Sequence, residues 1–250
     1  MKKSVLAIVL AVLMTVSLLT VGAMADGTVL PNADENGVIT LTDDVTLSKT
    51  QQIEDGVIID LAGHTITSNF NIEDNKATIL FYVKTGGSLT IKDSVGGGEV
   101  IVNETRGNGG AEKGFGVYCV YVCGGAEFTL ESGTLKNPNQ AFEALEVIHS
   151  YGTVNINGGT INGITGIFMF NPERGATEWT GSAVTNISDG EIIGLDCNSY
   201  QGKVDNTAYK GWNYGIAIYG PGVVGSTVDN TKAVLNITGG KIVAGQGIGT

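Results

Sequence analysis

A repeated phrase constrains the fold of this chain more than any other feature. VNINGGTING at 154–163 returns as TNISDGEIIG at 185–194 and as LNITGGKIVA at 235–244, and weaker copies, FTLESGTLKN and IDLAGHTITS, precede it. In each copy, alternating apolar and polar residues are interrupted by a turn and then resume. Short period-2 runs are typical of β-strands, and a repeat of this kind indicates a solenoid or an array.

Aligning the copies gives two apolar columns separated by a turn column. The apolar columns contain Leu61, Leu130, Ile156, Ile187 and Ile237, then Ile66, Leu135, Ile161, Ile192 and Ile242; the turn column contains His64, Gly133, Gly159, Gly190 and Gly240. A second phrase alternates with the first, at GVYCV from Gly116, ALEVI from Ala144, GIFMF from Gly166 and GIAIY from Gly215. The shortest complete unit, from Ala144 to Gly166, spans 22 residues.

This unit predicts an all-β fold, a right-handed parallel β-helix. Each strand is too short to bury a core alone, but coils stacked at roughly 4.8 Å align their apolar columns. The glycines turn the corner of the coil, where a positive φ disfavours a Cβ. Asn155, Asn186 and Asn236 are predicted to form an outer ladder. The residues predicted to point inward and be buried are Val154, Ile156, Ile161, Ile167, Met169, Ile187, Ile192, Ile216, Ile218, Ile237 and Ile242.

The segment Ile59 to Ile66, reading IDLAGHTI, carries a family resemblance. It resembles the L-N-G-H-T-I opening of adhesin-like surface proteins of Gram-positive bacteria, with Ala62 in place of the asparagine. More broadly, the chain resembles right-handed parallel β-helices of the pectin-lyase-like superfamily. The resemblance implies a β-helix at the cell surface, but enzymes, adhesins and binding modules share this fold.

The first 25 residues have the pattern of a secretory signal peptide. Lys2 and Lys3 precede an apolar run and an A-x-A site, so the β-helix domain is predicted to occupy residues 26–250 of a secreted or cell-surface protein. An uncleaved membrane anchor is the alternative. The last copy of the second phrase, GIGT, is incomplete, so we expect the β-helix to be truncated. Further coils and a region that attaches to the bacterial cell wall are expected downstream.

Charge and cysteine content narrow the classes of partner. The net charge of −11 becomes −13 without Lys2 and Lys3, which disfavours nucleic acid as a partner. Diffuse calcium binding is an alternative, but LTDDVTL and NIEDNKA are interpreted as acidic turns, and no cofactor is predicted. Cys119 and Cys123 lie in one extended segment, so no disulfide joins them, and Cys119 is predicted to be a core residue.

Candidate ligand-binding residues come from outer faces and loops. The second phrase places Tyr118 with Phe168, and Phe170 with Tyr219, in two outer aromatic columns, which are either covered by loops or offered to sugars or a partner protein. An insertion at 196–213 adds three more aromatic residues, Tyr200, Tyr209 and Trp212. His149 is assigned to a surface turn and His64 to a capping or packing role. The full candidate set is Tyr118, Phe168, Phe170, Glu173, Arg174, Trp179, Tyr200, Trp212 and Tyr219.

These features favour an adhesin-like display scaffold that binds a polysaccharide, a cell-surface glycan or a surface protein through its loops. A carbohydrate-active enzyme, similar to pectate lyases or polygalacturonases, is the first alternative. Such an enzyme needs grouped carboxylates and a base, and the local motifs of those families are missing from the sequence. A purely structural surface stalk is the second alternative.

Overall fold

The structure is a computed structural model that describes residues 29–71, 77–104, 116–138, 146–170, 183–195, 214–219, 233–244 and 246–249. Within these ranges every regular element is a β-strand, and the strands are numbered β1 to β21 in chain order. The predicted signal peptide, residues 1–25, lies outside the described residues.

The strands form three sheets of seven strands, and every pairing is parallel. The first sheet contains β1 (Val38–Thr40), β4 (Gly56–Asp60), β7 (Ser88–Lys92), β10 (Glu127–Leu130), β13 (Thr153–Ile156), β16 (Val184–Ile187) and β19 (Val234–Ile237). The second contains β2 (Val45–Leu47), β5 (Thr65–Ser68), β8 (Glu99–Ile101), β11 (Thr134–Lys136), β14 (Thr160–Gly163), β17 (Glu191–Gly194) and β20 (Lys241–Val243). The third contains β3 (Gln51–Ile53), β6 (Thr78–Val83), β9 (Val117–Val122), β12 (Glu146–Ser150), β15 (Thr165–Phe170), β18 (Tyr214–Tyr219) and β21 (Gln246–Gly249).

Each coil therefore contributes one strand to each sheet, and the chain is a right-handed parallel β-helix, as the repeat predicted. One interior column shows how the core is built. It runs through all seven strands of the first sheet, as Ile39, Ile59, Ile91, Leu130, Ile156, Ile187 and Ile237. Because each side chain packs between its counterparts in adjacent coils, apolar area is buried along the axis of the solenoid.

The predicted core is confirmed for most of its members. Val154, Ile156, Ile161, Ile167, Met169, Ile187, Ile192 and Ile216 are at most 2 % exposed. The prediction of burial is wrong for Ile218 in β18, which is half-buried, and for two residues of the last coil, where Ile242 is half-buried and Ile237 is 46 % exposed. Strands β19, β20 and β21 are the last strands of their sheets, so their inward side chains have a described neighbour on one side only.

One predicted column needs a correction in the second coil. Ile59, not Leu61, pairs in register with Ile91 and through it with Leu130. The turn that follows Ile59 extends to Thr65, whereas the turn that follows Leu130 already ends at Thr134. The sequence alignment assumed the same spacing between strand and turn in every coil. It therefore placed Leu61, two residues too late, in this column. Leu61 is nevertheless fully buried, because it fills this longer corner.

The corner between the first and second sheets depends on stacked glycines. Gly159 has a φ of 75°, and a Cβ there would lie 2.6 Å from the carbonyl oxygen of Gly133 in the coil below. That same oxygen accepts a hydrogen bond from the backbone N–H of Thr160 at 2.9 Å. Positive φ and close contact both exclude side chains here, which explains the glycine in the repeat.

The predicted asparagine ladder is confirmed on the outside of the first sheet. Asn236 Nδ2 donates to Asn186 Oδ1, and Asn186 Nδ2 donates to Asn155 Oδ1, each at 2.8 Å. The Nδ2 of Asn155 donates in turn to Glu127 Oε1 at 2.6 Å. The ladder joins four coils through side chains outside the solenoid.

Candidate functional site

A column of stacked rings follows the third sheet. Tyr82, Tyr121, His149 and Phe168 occupy the same register position in four successive coils. Their ring centroids are 5.3, 5.0 and 5.3 Å apart, with interplanar angles of 27°, 8° and 15°. Stacked aromatic pairs contribute about 0.5–1.5 kcal/mol each beyond the area they bury. The next residue in the column is Ala217, which ends the run of rings.

Three further rings surround this column. Tyr118 lies 4.9 Å from the His149 ring, and Tyr151 lies 5.2 Å from it, between ring centroids. Phe170 meets Tyr151 edge-on, at 5.1 Å and 60°. We call these seven residues the aromatic face: Tyr82, Tyr118, Tyr121, His149, Tyr151, Phe168 and Phe170. Tyr118, Tyr121, His149 and Tyr151 are each at most 9 % exposed.

An irregularity in the third sheet places these side chains together. In β9, Cys119 and Val120 are both fully buried, although they are consecutive, and Val147 and Ile148 behave alike in β12. The pairing with the neighbouring strand skips the first residue of each couple, which is Cys119 in β9 and Val147 in β12. As a result, Tyr118 and Tyr121, three residues apart, lie on the same outer side of the sheet. Strict alternation would have placed them on opposite sides.

The same irregularity brings Glu146 and His149 into contact. His149 Nδ1 lies 3.0 Å from Glu146 Oε2, and both residues are 8 % exposed. The assignment of His149 to a surface turn is therefore wrong, because the residue lies within β12 among five aromatic rings. When the ionised carboxylate accepts the Nδ1 proton, Nε2 keeps its lone pair and is the basic atom of the ring.

Burial controls the chemistry of the neighbouring hydroxyl and thiol groups. It raises the pKa of Tyr121 far above its ordinary value, and the nearby Tyr151 hydroxyl adds to this shift. Burial also raises the pKa of Tyr151, against the opposing effect of a hydrogen bond with Tyr121. Both hydroxyls therefore stay protonated near neutral pH. Burial raises the pKa of the Cys119 thiol to about 12, which fits its predicted place in the core.

Three of the predicted ligand-binding residues lie together on the third sheet, and most of the others lie outside the described residues. Tyr118, Phe168 and Phe170 belong to the aromatic face, and Phe170 shares a register position with Tyr219, as predicted. The predicted pairing of Tyr118 with Phe168 is wrong, since Tyr121 is the residue in the Phe168 column. Tyr118 is buried, whereas Phe168 and Phe170 are half-buried. Glu173, Arg174, Trp179, Tyr200 and Trp212 lie outside the described residues.

The length of a connection between two strands depends on which sheets it joins. The connections that join the first sheet to the second are short turns in every coil. The long connections all join to strands of the third sheet. Those that lead into it are 69–77, 102–116, 137–145 and 195–213, and those that lead out of it are 171–183 and 220–233. We call these six stretches the long segments. They contain all five predicted site residues that the structure leaves undescribed.

Ion pairs between coils occupy most lysines on the described surface. Lys84 pairs with Glu54 at 2.5 Å, Lys136 with Glu99 at 2.7 Å and Lys241 with Glu191 at 2.7 Å. Lys92 approaches Asp60 at 3.7 Å. Exposed pairs of this kind contribute about 0–1 kcal/mol each, so they align coils more than they stabilise them.

Within the described ranges, no three His, Cys, Asp or Glu side chains are grouped closely enough to hold a metal ion. In the LTDDVTL turn, Asp44 Oδ1 instead accepts the backbone N–H of Thr65 at 2.8 Å. This carboxylate therefore has a structural role in closing the corner.

The chain matches no protein-family model, no curated protein and no solved structure. Among the residues that the structure describes, no helix is long and apolar enough to cross a membrane.

Proposed function

We propose that this protein is an extracellular, adhesin-like β-helix scaffold that binds glycans on the side of its third sheet. The scaffold part of the proposal follows from the stacked coils, which hold the strands of the third sheet in a fixed register. The binding part follows from how the residue types are distributed over the chain. The pectin-lyase-like resemblance agrees with both parts.

The distribution of aromatic residues is the observation that carries the proposal. Phe128 and Tyr151 are the only aromatic residues of the chain that lie outside both the third-sheet strands and the long segments. Phe128 is fully buried in the core, and Tyr151 belongs to the aromatic face. Both tryptophans and both arginines of the chain lie in the long segments. A solenoid that only needed a core would have no reason to confine both tryptophans and both arginines to segments that join strands of the third sheet.

Glycans suit such a surface for chemical reasons. The C–H face of a sugar ring packs against aromatic rings, while Trp and Tyr supply a polar edge for hydrogen bonds. Binding sites in general combine aromatic walls with a few placed polar groups. Arg106 and Arg174 each carry a planar fork of N–H donors that suits carboxylate-bearing sugars. A protein surface is the rival partner, because Trp, Tyr and Arg are also enriched in protein interfaces.

Secretion is part of the proposal and rests on residues 1–25. Export would remove this segment and begin the mature chain at Asp26. The acidic surface would keep the exported domain soluble. N-terminal sequencing of the exported protein is the direct check, since a start at Met1 in the membrane fraction would support an anchor instead.

The central experiment measures binding of the mature chain to a panel of insoluble and soluble polysaccharides. Trp179→Ala combined with Trp212→Ala should weaken binding at least tenfold, because each truncation removes a stacking surface. The matched control is Val95→Ala, which truncates a side chain that is 74 % exposed in the turn between the first and second sheets. The control should bind as tightly as the parent.

Three outcomes would contradict the proposal. Equal loss in the control would show that the side of the third sheet is not the binding side. Binding to surface proteins but to no polysaccharide would favour the rival partner. Absence of binding to either class would favour a structural stalk.

One observation favours a carbohydrate-active enzyme as the second candidate. The Glu146 carboxylate lies 3.0 Å from Nδ1 of His149 and orients an imidazole on the third sheet. General base catalysis needs such an oriented group within reach of the substrate. Release of cleavage products would distinguish this candidate from a scaffold that only binds.

A further inference from the structure

The sequence contains four Asn–Gly pairs, and the structure describes three of them. Asparagine is thermolabile, and a following glycine favours its deamidation, because no side chain hinders attack of the glycine nitrogen on the preceding amide. Asn36–Gly37 lies in the turn before β1, Asn157–Gly158 in the corner after β13, and Asn162–Gly163 within β14. Asn108–Gly109 lies outside the described residues.

The three described pairs differ in how the backbone of the glycine is held. The N–H of Gly37 donates to the carbonyl oxygen of Asp34 at 3.1 Å. Gly163 pairs in register with Gly194 of β17, so its backbone is fixed in an extended strand. No described residue, in contrast, accepts a hydrogen bond from the N–H of Gly158. This nitrogen is therefore the one of the three that is most available to attack the preceding amide.

The side chain of Asn157 is also placed for this reaction. It is exposed, so the amide is open to water. Its Oδ1 accepts a hydrogen bond from the Oγ of Ser188, in the next coil, at 3.0 Å. The same Oγ lies farther, 3.4 Å, from the carbonyl oxygen of Ile156. Attack on Cγ of Asn157 turns Oδ1 into an oxyanion, and a donor already directed at that atom stabilises the charge as it develops.

We infer that Asn157–Gly158 is a site of spontaneous deamidation, which Ser188 promotes. The nitrogen of Gly158 forms a bond to Cγ of Asn157 and gives up its proton, while the Cγ–Nδ2 bond breaks and ammonia leaves. Water then opens the cyclic imide at either of its two carbonyl groups, which produces aspartate or isoaspartate in place of Asn157. The reaction is intramolecular, and water is its only co-reactant.

Both products disturb a corner at which neighbouring coils are in close contact. Isoaspartate lengthens the backbone by one carbon atom next to Gly159, where even a Cβ would lie 2.6 Å from the carbonyl oxygen of Gly133. Aspartate adds a carboxylate at the position that matches Glu131 in the preceding coil, so two negative charges follow each other along the axis. We therefore expect deamidated protein to have a lower Tm than fresh protein.

Peptide mapping by mass spectrometry tests the inference, on purified protein kept for several weeks in mildly alkaline buffer. The peptide that contains Asn157 should gain one mass unit about fivefold faster than the peptide that contains Asn36. Ser188→Ala should slow the reaction at Asn157 about fivefold and leave Asn36 unaffected, whereas Ser188→Thr, which keeps a hydroxyl group, should retain the rate. In denaturant the two asparagines should react at similar rates, because neither the Ser188 contact nor the turn at Asn36 persists.

The comparison of two sites within one protein keeps the test decisive even if Ser188→Ala fails to fold. Equal rates at Asn157 and Asn36 in the folded protein would overturn the inference. A difference that persists in denaturant would show that the flanking sequence, and not the fold, selects the site. An unchanged or faster reaction at Asn157 in folded Ser188→Ala would overturn the role of Ser188.

Discussion

Thr185 offers the sharpest test of the core. It lies in β16 with its side chain inward, in the column that contains Phe128, Val154 and Leu235. The residue is 0 % exposed, and its Oγ1 has no hydrogen-bond partner among the described residues. An unpaired buried hydroxyl costs about 1–3 kcal/mol relative to its hydrated state.

Thr185→Val should therefore stabilise the protein. Valine keeps the β-branched shape of threonine and replaces the hydroxyl by a methyl group, which suits the apolar neighbours. Leu235, the neighbour in the last coil, is only half-buried, so the gain should fall in the lower part of the range. We expect the free energy of unfolding to rise by about 1 kcal/mol, which corresponds to an increase in Tm of about 2–4 °C for a domain of this size.

Thermal unfolding followed by circular dichroism, with chemical unfolding as a second probe, is the assay. Thr160→Val is the matched control, since Thr160 is half-buried on the outer side of β14. Its effect should stay within about 0.5 kcal/mol. A Thr185→Val protein that melts at or below the parent temperature, while the control is neutral, would refute the reasoning. It would mean that the Oγ1 of Thr185 is satisfied in solution.

Three further predictions concern the turns and the chemistry. Ala62 has a φ of 48°, a backbone conformation that asparagine tolerates better than alanine. Ala62→Asn should therefore raise Tm in a thermal melt, and a lower Tm would contradict this. The Asp93 carboxylate accepts hydrogen bonds from the backbone N–H groups of Gly63 and Gly98, at 2.7 Å each. Burial opposes ionisation, but these donors hold the pKa of Asp93 below its usual value. A lowered folded-state pKa means that the carboxylate stabilises above about pH 4 and loses this effect as pH falls through the folded pKa. Asp93→Asn should therefore cost about 1–3 kcal/mol at pH 7 and less in chemical unfolding at pH 3, and an equal cost at both would refute the assignment. Finally, pectin and polygalacturonate should yield no reducing or unsaturated ends, with or without calcium, whereas steady release that disappears in His149→Phe would establish the enzyme.

The sequence predicted the fold because the turn length is constant in the later coils. Leu130, Ile156, Ile187 and Ile237 each precede a turn of equal length, so simple spacing aligned them correctly. The same spacing failed at Leu61, where the turn is longer. Turn length depends on how corner residues pack between coils, and it cannot be predicted from a local sequence pattern.

The aromatic face was only partly predictable, for a different reason. Tyr118, Phe168 and Phe170 were found as outer residues, but Tyr82, Tyr121 and His149 were missed. Alternation assigns every second residue to the same side, whereas the third sheet turns two consecutive side chains inward. A usable signal was present, because Glu146 and His149, like Tyr118 and Tyr121, are polar or aromatic residues that flank two apolar or cysteine residues.

The glycine corner has a consequence for peptide grafting. From Gly133 onward, the carbonyl of one coil lies against the turn of the next, and Gly190 would place a Cβ 2.9 Å from the carbonyl oxygen of Gly158. An epitope inserted there would separate neighbouring coils and weaken pairing in the first and second sheets together. The 195–213 segment separates β17 from β18 in the sequence, and β19 and β20 still pair in register with β16 and β17. Foreign peptides should therefore be exchanged into that segment, where added length leaves the pairing of the first and second sheets intact.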